Sequence, residues 1–109
     1  MNYEVLTTPD FRTFFKKLFK KQHSLKTDLE KIIEKLQSNY EIGVPLGGNL
    51  YKVRMAIESK NKGTSGGARV IYYFLSEENE IYLVYIYDKS STSTVSKAVL
   101  EQLLKNAGL

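Results

Sequence analysis

Hydrophobic positions follow a helical period in the first third of the chain. Thr8, Pro9 and Asp10 supply an N-cap hydroxyl, a proline for the first helical position and an acid in the first turn. Apolar residues then recur at the spacing of one helix face, at Phe11, Phe14, Phe15, Leu18 and Phe19. A second stripe begins after Ser24, at Leu25, Leu29, Ile32, Ile33 and Leu36. Because few residues separate these helices, the pattern predicts an antiparallel helical hairpin.

The hydrophobic period changes to two in the second half of the chain. Residues 41–49 contain three glycines and a proline and are predicted to form a loop. Residues 51–57, 68–75 and 81–87 then predict three strands joined by polar turns. The last of these strands carries almost no polar residue, so we expect it to be central and covered on both faces. Residues 3–6 predict a short edge strand, and the spacing of Val95, Val99, Leu103 and Leu104 predicts a closing helix.

This order of elements, β-α-α-β-β-β-α, predicts an α+β fold. Short turns join the three late strands, so we expect an antiparallel meander. The N-terminal helical hairpin should cover one face of that sheet, because an amphipathic helix must bury its apolar stripe. A chain of 109 residues is the usual size of one domain, and we expect residues 1–109 to form a single domain.

Composition excludes several classes of chemistry. The chain has no Cys, which rules out disulfides, a thiol nucleophile and a Cys-ligated zinc site. Its single histidine, His23, rules out a His-pair acid/base mechanism and a His-rich metal site. Neither a membrane-spanning hydrophobic run nor a signal-peptide pattern is present in the sequence. We therefore expect a soluble, cytoplasmic protein.

Positive charge is concentrated in the middle of the chain. The net charge is only +4, yet residues 59–74 contain no carboxylate while holding Lys60, Lys62 and Arg69. A local anion-binding site fits this distribution. A solvated hairpin that happens to be basic fits it as well, because charge runs often serve solubility.

Strand periodicity brings several of the cations together. A period of two places Lys52 and Arg54 on one face of their strand, and Arg69 opens the next strand across a hairpin. Lys89 follows Tyr87 at the end of the last strand. If these strands are neighbours, the four cations converge on one surface. The alternative is a set of ordinary surface cations on an open antiparallel face.

Four segments carry a resemblance to a known family. They are LYKVR at 50–54, KGTSGGARVIYYF at 62–74, IYL at 81–83 and IYDKS at 86–90. The chain resembles the RelE/HigB-type toxins of the RelE/ParE superfamily, which are the toxin halves of bacterial type II toxin–antitoxin pairs. The resemblance runs over the whole chain, and its most specific part is the basic, glycine-rich turn followed by an apolar and aromatic strand.

This resemblance implies a metal-independent mRNA interferase, with no cofactor and no metal site. Members of the family cleave mRNA in the ribosomal A site, by attack of a 2′-hydroxyl, and so inhibit translation. By the same resemblance Lys52 and Arg54 match the family's basic positions on the second strand, Arg69 matches the arginine that opens the third, and Lys89 matches a cation after the last strand. The implied partners are the 70S ribosome with mRNA and a cognate antitoxin, commonly a helix-turn-helix protein that would link the toxin to DNA only indirectly. No membrane partner is implied.

Cleavage through a 2′-hydroxyl assigns roles to these residues. Arg54 and Arg69 suit the phosphorane charge, because guanidinium binds phosphate bidentately and stays protonated. Lys52 or Lys89 could give or take a proton. Tyr87 could do the same or stack on a base. We expect loss of activity with an intact fold in an Arg69→Ala variant.

The remaining assignments concern substrate binding and the competing functions. We expect Lys60, Lys62 and Asp88 to contact substrate, although Asp88 could instead be a general base or a turn former. Ser90 stands where some relatives carry a further arginine, and Thr94 or Val95 where some carry a tyrosine, so an inactive RNA- or ribosome-binding relative stays open. A ParE-like toxin that inhibits DNA gyrase through the same fold is the other alternative.

Overall fold

A computed structural model describes residues 2–61, 63–92 and 94–109. Its strands, in chain order, are β1 (Glu4–Thr7), β2 (Val44–Gly47), β3 (Leu50–Met55), β4 (Ala68–Leu75) and β5 (Glu80–Asp88). Its helices are α1 (Pro9–Phe19), α2 (Leu25–Ser38) and α3 (Lys97–Asn106). None of the helices in this part of the chain is long and apolar enough to cross a membrane.

The strands form one sheet in the order β1-β5-β4-β3-β2. Strands β3, β4 and β5 pair antiparallel with their neighbours, which confirms the predicted meander. Strand β1 runs parallel to β5 at the edge of the sheet, with Glu4 opposite Glu80. The predicted α+β class is confirmed.

Strand β2 was not predicted, because residues 41–49 read as a loop. Val44 pairs with Lys52 and Pro45 with Tyr51, along the outer side of β3. All four residues of β2 are exposed. An edge strand tolerates proline and glycine, because one side of its backbone needs no ladder partner. With no side chain buried, no alternating hydrophobic pattern marks the strand in the sequence.

The helical hairpin covers one face of the sheet, as predicted. Helix α1 begins at the predicted proline, and the Thr8 hydroxyl accepts a hydrogen bond from the Phe11 backbone N–H at 3.1 Å. The buried faces of α1 and α2 join the sheet residues in one core, which includes Phe11, Leu25, Leu29, Ile32, Leu36, Val53, Met55, Val70, Tyr72, Ile81 and Leu83.

Helix α3 covers part of the opposite face. Leu100 and Leu103 pack with Leu50, Ile71 and Val84 in a second core. Strand β5 contributes fully buried side chains to both cores, which confirms that residues 81–87 are covered on both faces. Strand β4 rather than β5 occupies the middle of the sheet.

Tyr72 links the middle strand to the segment that precedes β2. Its side chain is fully buried, and its hydroxyl donates to the Tyr40 carbonyl at 2.6 Å and accepts from the Gly43 N–H at 2.9 Å. Burial raises the pKa of Tyr72 to about 12, although the hydrogen bond from Gly43 acts in the opposite direction. Tyr72 therefore stays neutral in the folded protein well above the pH at which a solvated tyrosine ionises.

A Tyr72→Phe variant should lower the free energy of unfolding by about 1–3 kcal/mol, because it leaves the carbonyl of half-buried Tyr40 and the N–H of half-buried Gly43 without their partner. It should also abolish the part of the stability loss at alkaline pH that is due to ionisation of Tyr72. In the wild type, unfolded Tyr72 loses its proton near pH 10 while the folded residue keeps it to about 12, so stability falls as pH rises through this window. Urea unfolding at pH 7 and pH 10.5 measures both effects. Tyr73→Phe on the same strand is the control, and an equal loss in both variants would contradict the assignment.

Candidate functional site

Three predicted site residues form a row across the sheet. Arg54 on β3 lies directly opposite Arg69 on β4, and Arg69 lies opposite Tyr87 on β5. Directly paired residues of antiparallel strands project to the same face, with Cβ atoms about 5 Å apart. Ile71 on β4 projects to this same face and packs against α3. The Arg54–Arg69–Tyr87 row crosses β4 at Arg69, two residues before Ile71.

Lys52 and Lys89 flank this row. Lys52 is half-buried and pairs with Ile71, two residues before Arg54 on the same face of β3. The backbone N–H of Lys89 donates to the Gly67 carbonyl at 3.0 Å, which extends the ladder by one residue beyond β5. Strand alternation then assigns Lys89 to the same face as Tyr87. The structure thus brings the predicted catalytic positions to one end of one sheet face.

The two arginines of the row differ in their surroundings. Arg54 is exposed, whereas Arg69 is only 6% exposed. The Arg69 guanidinium donates to the carbonyls of Thr64 at 2.9 Å, Ala68 at 3.1 Å and Ser65 at 3.4 Å. Arg69 therefore holds the glycine-rich turn in addition to carrying charge. No sequence signal could have marked this contact, since every residue offers a backbone carbonyl.

Gly67 fixes the same turn against β3. A Cβ atom at this position would clash with the Met55 carbonyl oxygen and would lie 3.0 Å from the Ala56 Cα. Both are backbone atoms that cannot move aside cheaply. The glycine is required here by close backbone approach, whereas Gly63, at φ 65°, occupies the left-handed region that glycine favours.

Tyr87 is held as a neutral phenol. It is 5% exposed, and burial raises its pKa, while the positive charge of Arg69 acts in the opposite direction and is the smaller effect. A raised pKa keeps the phenol neutral, so that it can donate a hydrogen bond but does not serve as a base at neutral pH, and it makes the phenol a weaker proton donor than a solvated tyrosine. This environment favours a donor role among those considered for Tyr87.

Lys60 and Asp88 form a separate cluster. The Lys60 ammonium lies 2.7 Å from the Asp88 carboxylate, with both side chains 12% exposed. Asp88 pairs with Ala68, whose side chain faces the helical hairpin, so Asp88 lies on the other face from Tyr87. Its carboxylate also accepts from the backbone N–H and hydroxyl of Ser90, at 2.9 and 2.7 Å.

The predicted substrate-binding residues thus have local partners. Burial raises the pKa of Asp88, but the hydrogen bonds from Lys60 and Ser90 outweigh it and leave the pKa below its ordinary value. An ionised, hydrogen-bonded carboxylate is a weak candidate for a general base. Lys60 and Asp88 neutralise each other, and their substrate contact stays a prediction. Lys62 lies outside the described residues.

The Lys60–Asp88 pair should show a coupling of about 1–2 kcal/mol in a double-mutant cycle of Lys60→Met and Asp88→Asn, because both charged groups are largely removed from water. The lowered pKa of Asp88 sets the pH dependence. Its contribution is fully present above the ordinary value of 3.8 and is lost as pH falls through the folded-state pKa. Urea unfolding at pH 7 and pH 3 measures this change. The exposed pair Lys31 and Glu58 is the control, and an equally strong coupling there would contradict the prediction.

Comparison with known proteins agrees with this architecture. Residues 11–109 match the model of the family described as RelE toxin of the RelE / RelB toxin-antitoxin system. The fold resembles a free-state mutant of the E. coli toxin RelE, with a TM-score of 0.65 and 16% identity over 97% of this chain and 98% of that chain. It also resembles a chain of the Mycobacterium tuberculosis toxin–antitoxin complex RelBE2, with a TM-score of 0.61 and 18% identity over 81% of this chain and 92% of that chain.

A third similar structure contains an antitoxin fragment. It is a mutant of E. coli RelE in complex with an antitoxin RelBc peptide, with a TM-score of 0.55 and 17% identity over 94% of both chains. The fold and the family match define the class of protein, a toxin of a toxin–antitoxin system. The chain belongs to the RelE toxin family.

Proposed function

We propose that this toxin is a ribosome-dependent mRNA endonuclease. The observation that carries the proposal is the Arg54–Arg69–Tyr87 row at one end of a sheet face, with exposed Arg54 at one end of the row and half-buried Lys52 beside it. Arg54 and Arg69 are directly paired across β3 and β4, and no residue of the row carries a carboxylate. Such a surface attracts a phosphodiester strongly.

The reaction proposed for this row is an attack by the RNA on itself. The 2′-oxygen bonds to the adjacent phosphorus while the bond from phosphorus to the 5′-oxygen breaks, which leaves a 2′,3′-cyclic phosphate and a 5′-hydroxyl. Exposed Arg54 would bind the non-bridging oxygens, where negative charge grows in the transition state. Buried Arg69 adds positive electrostatic potential beside Arg54 and holds the adjacent turn through its hydrogen bonds to the Thr64 and Ser65 carbonyls.

Proton transfer requires one donor and one acceptor. The buried, neutral phenol of Tyr87 suits the donor that protonates the departing 5′-oxygen. Lys52 or Lys89, in its neutral amine form, would accept the proton of the 2′-hydroxyl and become an ammonium. The Asp88 carboxylate is not assigned this role, because Lys60 and Ser90 already occupy it.

The proposal includes the partners and the compartment. We propose that residues 1–109 act as a single toxin domain on the 70S ribosome and its mRNA in the cytoplasm. A cognate antitoxin would neutralise the toxin, as the complexed structures of relatives suggest. That antitoxin would be a helix-turn-helix protein, through which the toxin would meet DNA only indirectly.

Cleavage of mRNA on translating ribosomes tests the proposal. Toxin freed from its antitoxin is added to ribosomes that translate a reporter mRNA, and new 5′ ends are mapped by primer extension. We expect cuts in the A site that disappear when ribosomes are omitted. Intact mRNA at toxin concentrations that arrest translation would overturn the proposal, as would inhibition of DNA gyrase supercoiling without any effect on translation.

A further inference from the structure

A groove of about 530 Å³ lies between helix α1 and the end of strand β5. Strand β1 pairs only with residues 80–83 of β5, so α1 packs beside the remainder of that strand. Phe14, Leu18 and Ile86 contribute the apolar lining of the groove. Tyr87 lines it as well, so the groove and the Arg54–Arg69–Tyr87 row share this residue.

The rim of the groove is strongly basic. Lys17, Lys20 and Lys21 line it from the C-terminal part of α1 and the residues just after it, and all three are exposed. Residues 11–23 contain no carboxylate that could balance them. The one acidic side chain of the lining, Asp88, is paired with Lys60. The groove therefore carries an unbalanced positive charge that would attract an anionic ligand.

Aromatic rings connect the groove to the sheet face. Phe14 makes an edge-to-face contact with Tyr85, at a centroid distance of 4.8 Å. The ring centroid of Tyr85 in turn lies 5.8 Å from that of Tyr87. Aromatic surface beside lysine ammonium groups is the combination that binds single-stranded nucleic acid, because bases stack on the rings while phosphates meet the cations.

We infer that this groove binds the single-stranded RNA next to the scissile phosphate, with its backbone along Lys17, Lys20 and Lys21. The inference deepens the proposed function and rests on it for the chemical class of the ligand. An acidic protein segment is the competing occupant. RNA is favoured because the groove shares Tyr87 with the row where a phosphodiester would react, so that one strand can occupy both sites.

Binding of a fluorescein-labelled 12-nucleotide RNA, measured by fluorescence anisotropy, tests the inference. The variant Lys17→Gln/Lys20→Gln/Lys21→Gln removes the three rim charges. Lys26→Gln/Lys97→Gln/Lys105→Gln removes the same charge from exposed lysines outside the groove. Each phosphate contact contributes about −0.7 to the slope of log affinity against log salt for single strands. We therefore expect the slope to weaken by about 2 units in the groove variant alone, with an affinity loss of about tenfold or more at low salt.

Each outcome bears on the inference. Equal losses in the two triple variants would overturn it, because they would reflect net charge alone. Absence of RNA binding by the wild type would also overturn it. So would unchanged RNA binding by the groove variant, and loss of antitoxin binding in that variant would then identify a protein surface. Groove-dependent RNA binding without ribosomal cleavage would support the groove and contradict only the nuclease proposal.

Discussion

Arg54→Ala is expected to lower the rate of ribosome-dependent mRNA cleavage by about 10²–10³, the usual effect of removing one group that stabilises transition-state charge. Arg54 is the exposed guanidinium of its row, and no hydrogen bond or ion pair within the described residues engages it. Its loss should therefore weaken the stabilisation of the reacting phosphate and leave the fold intact. Single-turnover cleavage on stalled ribosomes measures the rate.

Stability separates this effect from unfolding. Arg54 faces Arg69 across the strands, and like charges in direct cross-strand pairs are destabilising. The melting temperature of Arg54→Ala should thus be equal to that of the wild type or slightly higher. Arg54→Lys keeps the charge but cannot bind a phosphate through two parallel N–H groups. Its rate of mRNA cleavage should therefore lie between that of the wild type and that of Arg54→Ala. Cleavage by Arg54→Ala at the wild-type rate would contradict a catalytic role for Arg54.

Arg69→Ala is expected to reduce both stability and cleavage. It removes three hydrogen bonds to the turn that precedes β4 and leaves an unfilled space at a position that is 6% exposed. A loss of about 3 kcal/mol follows from hydrogen bonds made by a charged, buried donor. For a chain of this length, the melting temperature should fall by roughly 10 °C or more. Thermal unfolding followed by circular dichroism measures this shift.

This expectation revises the one drawn from sequence, in which Arg69→Ala left the fold intact. Thr64→Ala is the matched control, because the Thr64 carbonyl that Arg69 contacts stays in place and the side chain is exposed. Cleavage should be measured well below the melting temperature of the variant, so that loss of the charge can be distinguished from loss of the fold. An unshifted melting temperature in Arg69→Ala would contradict the structural role of this guanidinium.

The pattern of apolar residues determined most of the architecture. The helical spacing of apolar residues predicted α1, α2 and α3, because an amphipathic stripe is a local property of the sequence. The alternation around Lys52 and Arg54 determined that both lie on one face of β3, since the side-chain period of a strand is two. Short turns determined the antiparallel pairing of β3, β4 and β5.

Only the tertiary structure decided the environment of each charge. The sequence marked Arg69, Lys60 and Asp88 as cations and an acid near one site, but the fold encloses Arg69 among turn carbonyls and pairs Lys60 with Asp88 on the other face. The fold also adds β2 as an exposed edge strand and places the lysines of α1 beside Tyr87. These features depend on contacts between residues distant in the chain and on backbone atoms common to all residues, so no local pattern records them.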